Sequence, residues 1–223
     1  MTIPKGISMG LLGGNGSGKT TLMKLIVGLE RPRSGSISIF DSTLTNEMRL
    51  RIGYMPQQNT LYRDLSVSDN VDFFASMYGI SSKTQRSYAV NDVLETLGIW
   101  DRRNDSITEL SGGMQRLVSL ACVLTHKPSL LLLDEPTVGL DPDVRVSFWY
   151  YFNELTQKGM TLFITSHTMD DAMHCDQLFF LKDGHVIAEG SPQELIDATG
   201  NSRATLEDSF IYFNAKGSHN DSQ

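Results

Sequence analysis

Residues Leu110 to Pro142 read LSGGMQRLVSLACVLTHKPSLLLLDEPTVGLDP, and the order of the parts in this stretch decides the fold class. A serine and two glycines, Ser111, Gly112 and Gly113, open a helix running from about Gly113 to Thr125. The apolar run Leu130 to Leu133 follows as a strand that ends on Asp134-Glu135, ahead of a tight turn at Gly139-Leu140-Asp141. A strand with no polar alternation, fed by a helix, belongs to a parallel sheet covered on both faces. Ligand chemistry in such sheets gathers outside the carboxyl ends of the strands, which is where Asp134 and Glu135 fall.

Working outward toward the amino terminus, Gly13 to Thr20 reads GGNGSGKT, a full match to the phosphate-loop pattern G-x-x-x-x-G-K-[ST]. The apolar strand Ile7 to Leu12 precedes it. Leu22, Leu25, Ile26 and Leu29 then recur on one helical face, and Pro32 and Gly35 end the helix. Successive backbone N–H groups at such a helix start face one concavity, which suits a polyphosphate. Lys19 is placed to pair with β- and γ-phosphates, and the Thr20 hydroxyl to sit on Mg²⁺. Asp134, closing its strand, suits the Mg²⁺ shell. Glu135, one residue further on, suits the polarisation of an attacking water.

Between the two blocks the chain is mainly helical. Ser36 to Phe40 (SISIF) alternates as a half-exposed strand. Ser66 caps a helix with Asp69 as its capping-box partner, and Val67, Val71, Phe74 and Tyr78 mark its buried face before Gly79. Val90, Val93, Leu94 and Leu97 mark a second helix that stops at Gly98. The expectation is a helical subdomain inserted over about residues 63–125. Beyond it come a helix from about Val144 to Gln157, a strand Met160 to Thr165, and apolar segments Gln177 to Leu181 and His185 to Ala188 around a turn at Asp183-Gly184. This alternation predicts an α/β domain over residues 1–213 with a mostly parallel sheet. Residues 214–223, NAKGSHNDSQ, are polar and aperiodic and read as a loose tail.

Composition narrows the partners. The 223 residues are 40% hydrophobic and 20% charged, ordinary for a globular domain, with a net charge of −7 and no basic stripe. That balance argues against a protein that grips nucleic acid, or a membrane surface, by electrostatics. No apolar core follows a basic start at the amino terminus, and no run approaches the roughly 18 apolar residues of a membrane helix. A cytosolic polypeptide that reaches a membrane only through a partner is expected. Cys122 and Cys175 lack metal-ligand spacing and read as buried thiols.

With LSGGMQR one helix upstream of LLLLDEP, and the phosphate loop ahead of both, the sequence resembles the ATP-binding cassette family. The motifs occur in the family's order from about Lys5 to Phe213. The resemblance implies a RecA-like phosphate-loop NTPase fold with ATP and Mg²⁺ as ligands. Gly13, Gly14, Asn15, Gly16, Ser17, Gly18, Lys19, Thr20 and Thr21 would cradle the nucleotide. Gln57, in IGYMPQQ, falls at the Q-loop position that meets Mg²⁺ and touches the membrane partner. Ser111, Gly112 and Gly113 match the signature, Gly139 to Asp141 the D-loop, and His167, in ITSH, the switch histidine that contacts the γ-phosphate. Lys19, Glu135 and His167 are then the catalytic set.

A head-to-tail dimer follows, each ATP gripped by the phosphate loop of one subunit and the signature turn of the other. The resemblance also implies a membrane permease as partner, which would place the protein on the inner face of the cell membrane. Met114-Gln115-Arg116, the PTVGLDP turn and TLEDSF at Thr205 to Phe210 look like the ATPases of ABC-2 type exporters.

The chain departs from the family's pattern at its start. Only twelve residues precede Gly13 and none is aromatic, so the N-terminal antiparallel strands, with the aromatic that stacks on adenine, are expected to be largely missing. Base–aromatic stacking is worth roughly 1–3 kcal/mol, so a nucleotide-binding module with impaired turnover is the alternative expectation. Leu117 and Cys122 stand where the subgroup often has basic residues.

Overall fold

The structure, a computed structural model, describes residues 1–220. In chain order the elements are β1 (Ser8–Leu12), α1 (Lys19–Ile26), β2 (Ser38–Ile39), β3 (Ser42–Thr43), α2 (Asn46–Arg49), β4 (Ile52–Met55), α3 (Val67–Met77), α4 (Lys83–Thr96), α5 (Gly112–Leu124), β5 (Leu130–Asp134), α6 (Pro142–Gln157), β6 (Thr161–Ser166), α7 (Met169–Ala172), β7 (Gln177–Lys182), β8 (His185–Gly190), α8 (Pro192–Asp197) and α9 (Leu206–Asn220). Two compact units divide them: Met1–Arg31 with Phe152–Gln223, and Pro32–Tyr151. The helical stretch expected over 63–125 lies within the second unit, which is larger than that stretch and includes β4 and β5. Among the described residues no helix is long and apolar enough to cross a membrane.

In the first unit the strands lie in the order β6-β1-β7-β8. β1 runs parallel to both β6 and β7, whereas β8 returns antiparallel along β7 after the turn at Asp183-Gly184. Every residue of β1 and β6 is buried, as expected of parallel strands covered on both faces, while β8 is mostly exposed or half-buried. α1 ends earlier than the sequence reading placed it. Gly28, at φ +75°, closes the helix: its N–H reaches the Leu25 carbonyl and that of Leu29 reaches Lys24. This is a Schellman stop, so Leu29 lies outside the helix and is 68% exposed rather than on its buried face.

At the far end of this unit, α9 takes in residues 214–220, which the sequence reading treats as a loose tail; residues 221–223 lie outside the described residues. Thr205 and Asp208 cap the helix reciprocally: the Thr205 backbone N–H donates to the Asp208 carboxylate at 2.8 Å, and the Asp208 N–H to the Thr205 hydroxyl at 3.2 Å. Phe210 and Phe213 then pack edge-on against Phe180 of β7. A helix nucleated and docked in this way extends at one hydrogen bond per added residue, with no need for apolar periodicity.

In the second unit β4 and β5 pair in parallel, with Met55 opposite Leu133. Ser66 caps α3 as the sequence predicts, although the Asp69 carboxylate accepts from the Ser66 hydroxyl at 2.6 Å and not from its backbone. α3 and α4 stop at Gly79 and Gly98, both with positive φ. The strand expected over 36–40 shortens to β2, which pairs with β3 through Phe40 and Asp41. Both turn residues have positive φ, the backbone of a tight primed hairpin turn. Cys122 and Cys175 are buried free thiols, and burial pushes both above the ordinary thiol range.

The second unit yields two stability predictions. A Cβ added at Gly53 would lie 2.8 Å from the Val123 carbonyl oxygen and 2.8 Å from the Leu131 side chain. Gly53→Ala should therefore destabilise the fold by about 1–3 kcal/mol, read from urea unfolding midpoints. His126 stacks on Tyr78 with ring centroids 3.7 Å apart, and burial lowers its pKa from 6.5 to about 4. The unfolded chain takes up a proton near 6.5 that the native imidazole refuses until about 4, so stability falls as pH drops through that window. His126→Phe should keep the stack and show a shallower loss of stability between pH 6.5 and 4.

Candidate functional site

The phosphate-loop residues lie in the first unit. β1 ends at Leu12, and a Cβ at Gly13 would sit 2.6 Å from the Leu181 carbonyl oxygen and 2.6 Å from the Ser17 hydroxyl, so only glycine fits. Gly16 and Gly18 have φ of +79° and +105° and turn the chain back into α1. No side chain caps α1, whose first amides have no acceptor within the helix. The Lys19 ammonium, 6% exposed, folds over the loop and donates to the carbonyls of Gly13 at 2.8 Å and Gly14 at 3.2 Å. The Ser17 hydroxyl is buried and makes no hydrogen bond. An orphaned hydroxyl, an uncapped helix start and a lysine curled over loop carbonyls fit a polyphosphate. Gly14, Asn15, Gly16, Thr20 and Thr21 are exposed around them. Leu12 lies opposite Ser166, so Gly13 and His167 leave neighbouring strand ends, and His167 is exposed.

The acidic residues lie in the second unit. Asp134 ends β5 and is 1% exposed, and Glu135 leaves the strand half-buried. Glu135 has φ +47°, a left-handed conformation that costs a side-chain-bearing residue roughly 1–2 kcal/mol and is concentrated at functional sites. Its carboxylate accepts a 2.9 Å hydrogen bond from the Gln57 side-chain amide, which follows β4, the partner strand of β5. Tyr54, on β4, has its phenol pKa raised by burial and then by the charge of Asp134.

Ser111 is the N-cap of α5, its hydroxyl accepting from the Met114 N–H at 3.3 Å. Gly112 is exposed with open space where a Cβ would be, whereas a Cβ at Gly113 would press on Val144 at 3.2 Å. Gly139, at φ +73°, makes the turn that leaves Asp141 exposed at the start of α6. Gln57, Asp134 and Glu135 thus come together, and the hydroxyl of Ser111 is committed to its own helix cap.

One residue of the second unit escapes sequence reasoning. Arg116 is buried on α5 and donates hydrogen bonds to the segments carrying Gln57 and Glu135. Burial lowers its pKa to about 10, against the opposing pull of Asp134 and Glu135, so it stays protonated at neutral pH. The available signal is a cation at the head of a mostly apolar helical run, Leu117 to Leu124.

In the second unit the Asp134 carboxylate and the Gln57 side-chain oxygen, and in the first the Thr20 hydroxyl, are oxygen groups of the kind that Mg²⁺ prefers. Among the described residues no cluster of three or more His, Cys, Asp or Glu side chains could hold a metal alone.

A family model described as ABC transporter matches residues 1–138. A probable multidrug ABC transporter ATP-binding protein of Escherichia coli is 36% identical over 215 residues, covering 94% of this chain and 37% of that protein. The Nod factor export ATP-binding protein I of Burkholderia lata is 36% identical over 225 residues, covering 95% of this chain and 74% of its own length. The chain therefore spans little more than a third of the first relative. Among solved structures, an ATP-binding subunit of an ABC transporter superposes with a TM-score of 0.84 at 28% identity, covering 96% of this chain and 90% of the other. An ATP-binding cassette dimer in a post-hydrolysis state, bound to ADP and Pi, gives 0.78 at 27% identity, with 86% and 88% covered.

If the loop reads phosphates, Lys19→Ala should weaken ATP and inorganic triphosphate alike, each by roughly tenfold to a hundredfold, the loss of a charged hydrogen bond. Isothermal titration of the two ligands checks this; unchanged affinity for triphosphate would remove Lys19 from the role.

Proposed function

The chain belongs to the ABC transporter family, and from that premise we propose that it binds and hydrolyses ATP to drive a membrane transporter of the exporter type. The observation that carries the hydrolytic reading is the Gln57–Glu135 hydrogen bond beside the buried Asp134. It holds a carboxylate in a left-handed backbone, where it can accept a proton from an attacking water. Lys19 takes the β- and γ-phosphates, and His167 donates to the γ-phosphate. Ser111 to Gly113 and Asp141 meet the nucleotide of a second copy or a related subunit. Thr20, Asp134 and Gln57 would hold Mg²⁺, which supplies charge neutralisation at the phosphates when bound.

The exporter direction is supported by relatives described as a multidrug transporter component and a Nod factor export protein. The dimer is supported by a similar fold solved as one. ATP then acts as an interfacial ligand whose hydrolysis shifts the closed dimer back to open. A permease subunit receives that motion and keeps the protein peripheral on the cytoplasmic face of the membrane. The intact Gln57–Glu135 pair favours turnover over a module that only binds nucleotide.

Glu135→Gln retains the shape and loses the base. Turnover should fall by about a hundredfold or more, while ATP still produces a dimer on size-exclusion chromatography with light scattering. Wild-type turnover in this variant would refute the catalytic reading of Glu135.

A further inference from the structure

Arg116 makes six hydrogen bonds, and none of them goes to a carboxylate. Its Nε donates to the Pro136 carbonyl at 3.0 Å. Nη1 donates to the carbonyls of Pro56 at 2.8 Å and Gln57 at 2.9 Å, and to the Asn59 side-chain oxygen at 3.2 Å. Nη2 donates to the carbonyls of Asp134 and Glu135, each at 3.1 Å. A guanidinium has five N–H donors in a fixed planar fork, so six acceptors saturate it and at least one donor is shared. The side chain is 4% exposed, and all six partners lie in the second unit with it.

The pattern is more than the burial of stray carbonyls. The acceptors fall on two separate segments, one carrying Gln57 and the other carrying Glu135, and a third element, α5, supplies the donor. On the second segment Arg116 holds the carbonyls of Asp134, Glu135 and Pro136, the residue before the left-handed position, that residue and the one after it. A left-handed backbone at a side-chain-bearing residue persists only where its surroundings over-determine it, and three consecutive carbonyls on one rigid plane do so. On the first segment Asn59 is fixed a second time from α5, its side-chain oxygen also accepting from the Ser119 hydroxyl at 3.1 Å. The 2.9 Å hydrogen bond from Gln57 to Glu135 joins the same two segments through their side chains.

We infer that Arg116 is a positioning residue that sets the spacing and orientation of the Gln57 and Glu135 segments, so that the Glu135 carboxylate is delivered in its reactive geometry. Arg116 touches neither substrate nor water in this role; it acts through the backbone of Glu135. The inference rests on the proposed catalytic role of Glu135. Lysine cannot replace the guanidinium, because a single ammonium with three donors cannot span both segments. A misplacement of about 1 Å at a reacting group costs on the order of a hundredfold in rate, whereas the phosphate loop, which belongs to the other unit, keeps its ligands.

The test uses the full chain and three variants: Arg116→Lys, Asn59→Ala and Glu135→Gln. For each, steady-state kcat and KM for ATP are measured together with ADP affinity by titration. Arg116→Lys should lose about tenfold or more in kcat, with KM and ADP affinity within about twofold of wild type. A kcat within twofold of wild type overturns the inference, as does a kcat that falls only in step with ADP affinity, the mark of a general loss of structure.

Should Arg116→Lys fail to fold, Asn59→Ala decides, since it removes one acceptor and leaves every Arg116 bond to the backbone in place. It should lower kcat about threefold to tenfold at unchanged ADP affinity, and an unchanged kcat overturns the inference. Full turnover in Glu135→Gln removes the underlying catalytic reading. An inactive Glu135→Gln beside a fully active Arg116→Lys removes the Arg116 inference alone.

Discussion

A parallel strand buried on both faces has only its carboxyl end from which to release functional groups. β1, β5 and β6 are buried along their whole length, and the residues that follow them are Gly13, Glu135 and His167. The apolar character of these strands is therefore the condition for the chemistry. With no side chain along the strand available to solvent, each strand works as a rigid post whose last residue fixes where a loop begins. The register between partners sets the rest: Leu12 opposite Ser166, and Met55 opposite Leu133. A one-residue slip in the second pair would separate Gln57 from Glu135.

The loops that follow these posts are held by costly means. Gly13 tolerates no Cβ, Glu135 occupies a left-handed backbone, and Arg116 buries a full charge. Burying a guanidinium is unfavourable unless its donors are all satisfied, and here they are, mostly by main-chain carbonyls. The negative charges of Asp134 and Glu135 offset part of that cost. The arginine in turn donates to main-chain carbonyls of both loops, so the cation and the loops stabilise one another.

Side-chain chemistry was legible in the sequence, whereas backbone conformation was largely silent. Lys19, Asp134 and Glu135 stand out because residue type and spacing carry their meaning, and Ser66, Gly79 and Gly98 because caps and stops have local codes. Gly28 carries the same stop code, but Pro32, four residues on, is the more conspicuous breaker in the sequence. Arg116 stands within a motif, but its partners are mostly carbonyl groups, which every residue possesses and no sequence pattern distinguishes. The left-handed turn at Glu135 had no glycine or asparagine to announce it. α9 continued through polar residues because its start was capped and its aromatic face docked, and neither depends on the composition of the last turns.

The division of the chain into a continuous unit and a split one bears on how the protein is made. Residues 32–151 form one unbroken stretch, so the partners within it, β4 and β5 among them, leave the ribosome close together. β1, by contrast, pairs with β6 and β7, more than a hundred residues downstream. The glycine-rich loop that β1 carries lacks its strand neighbours until β6 and β7 have emerged. Long-range parallel pairing is intrinsically slow and leaves apolar strands exposed meanwhile. During that interval the nascent chain displays SMGLL as an unpaired apolar segment, the kind of surface that chaperones cover.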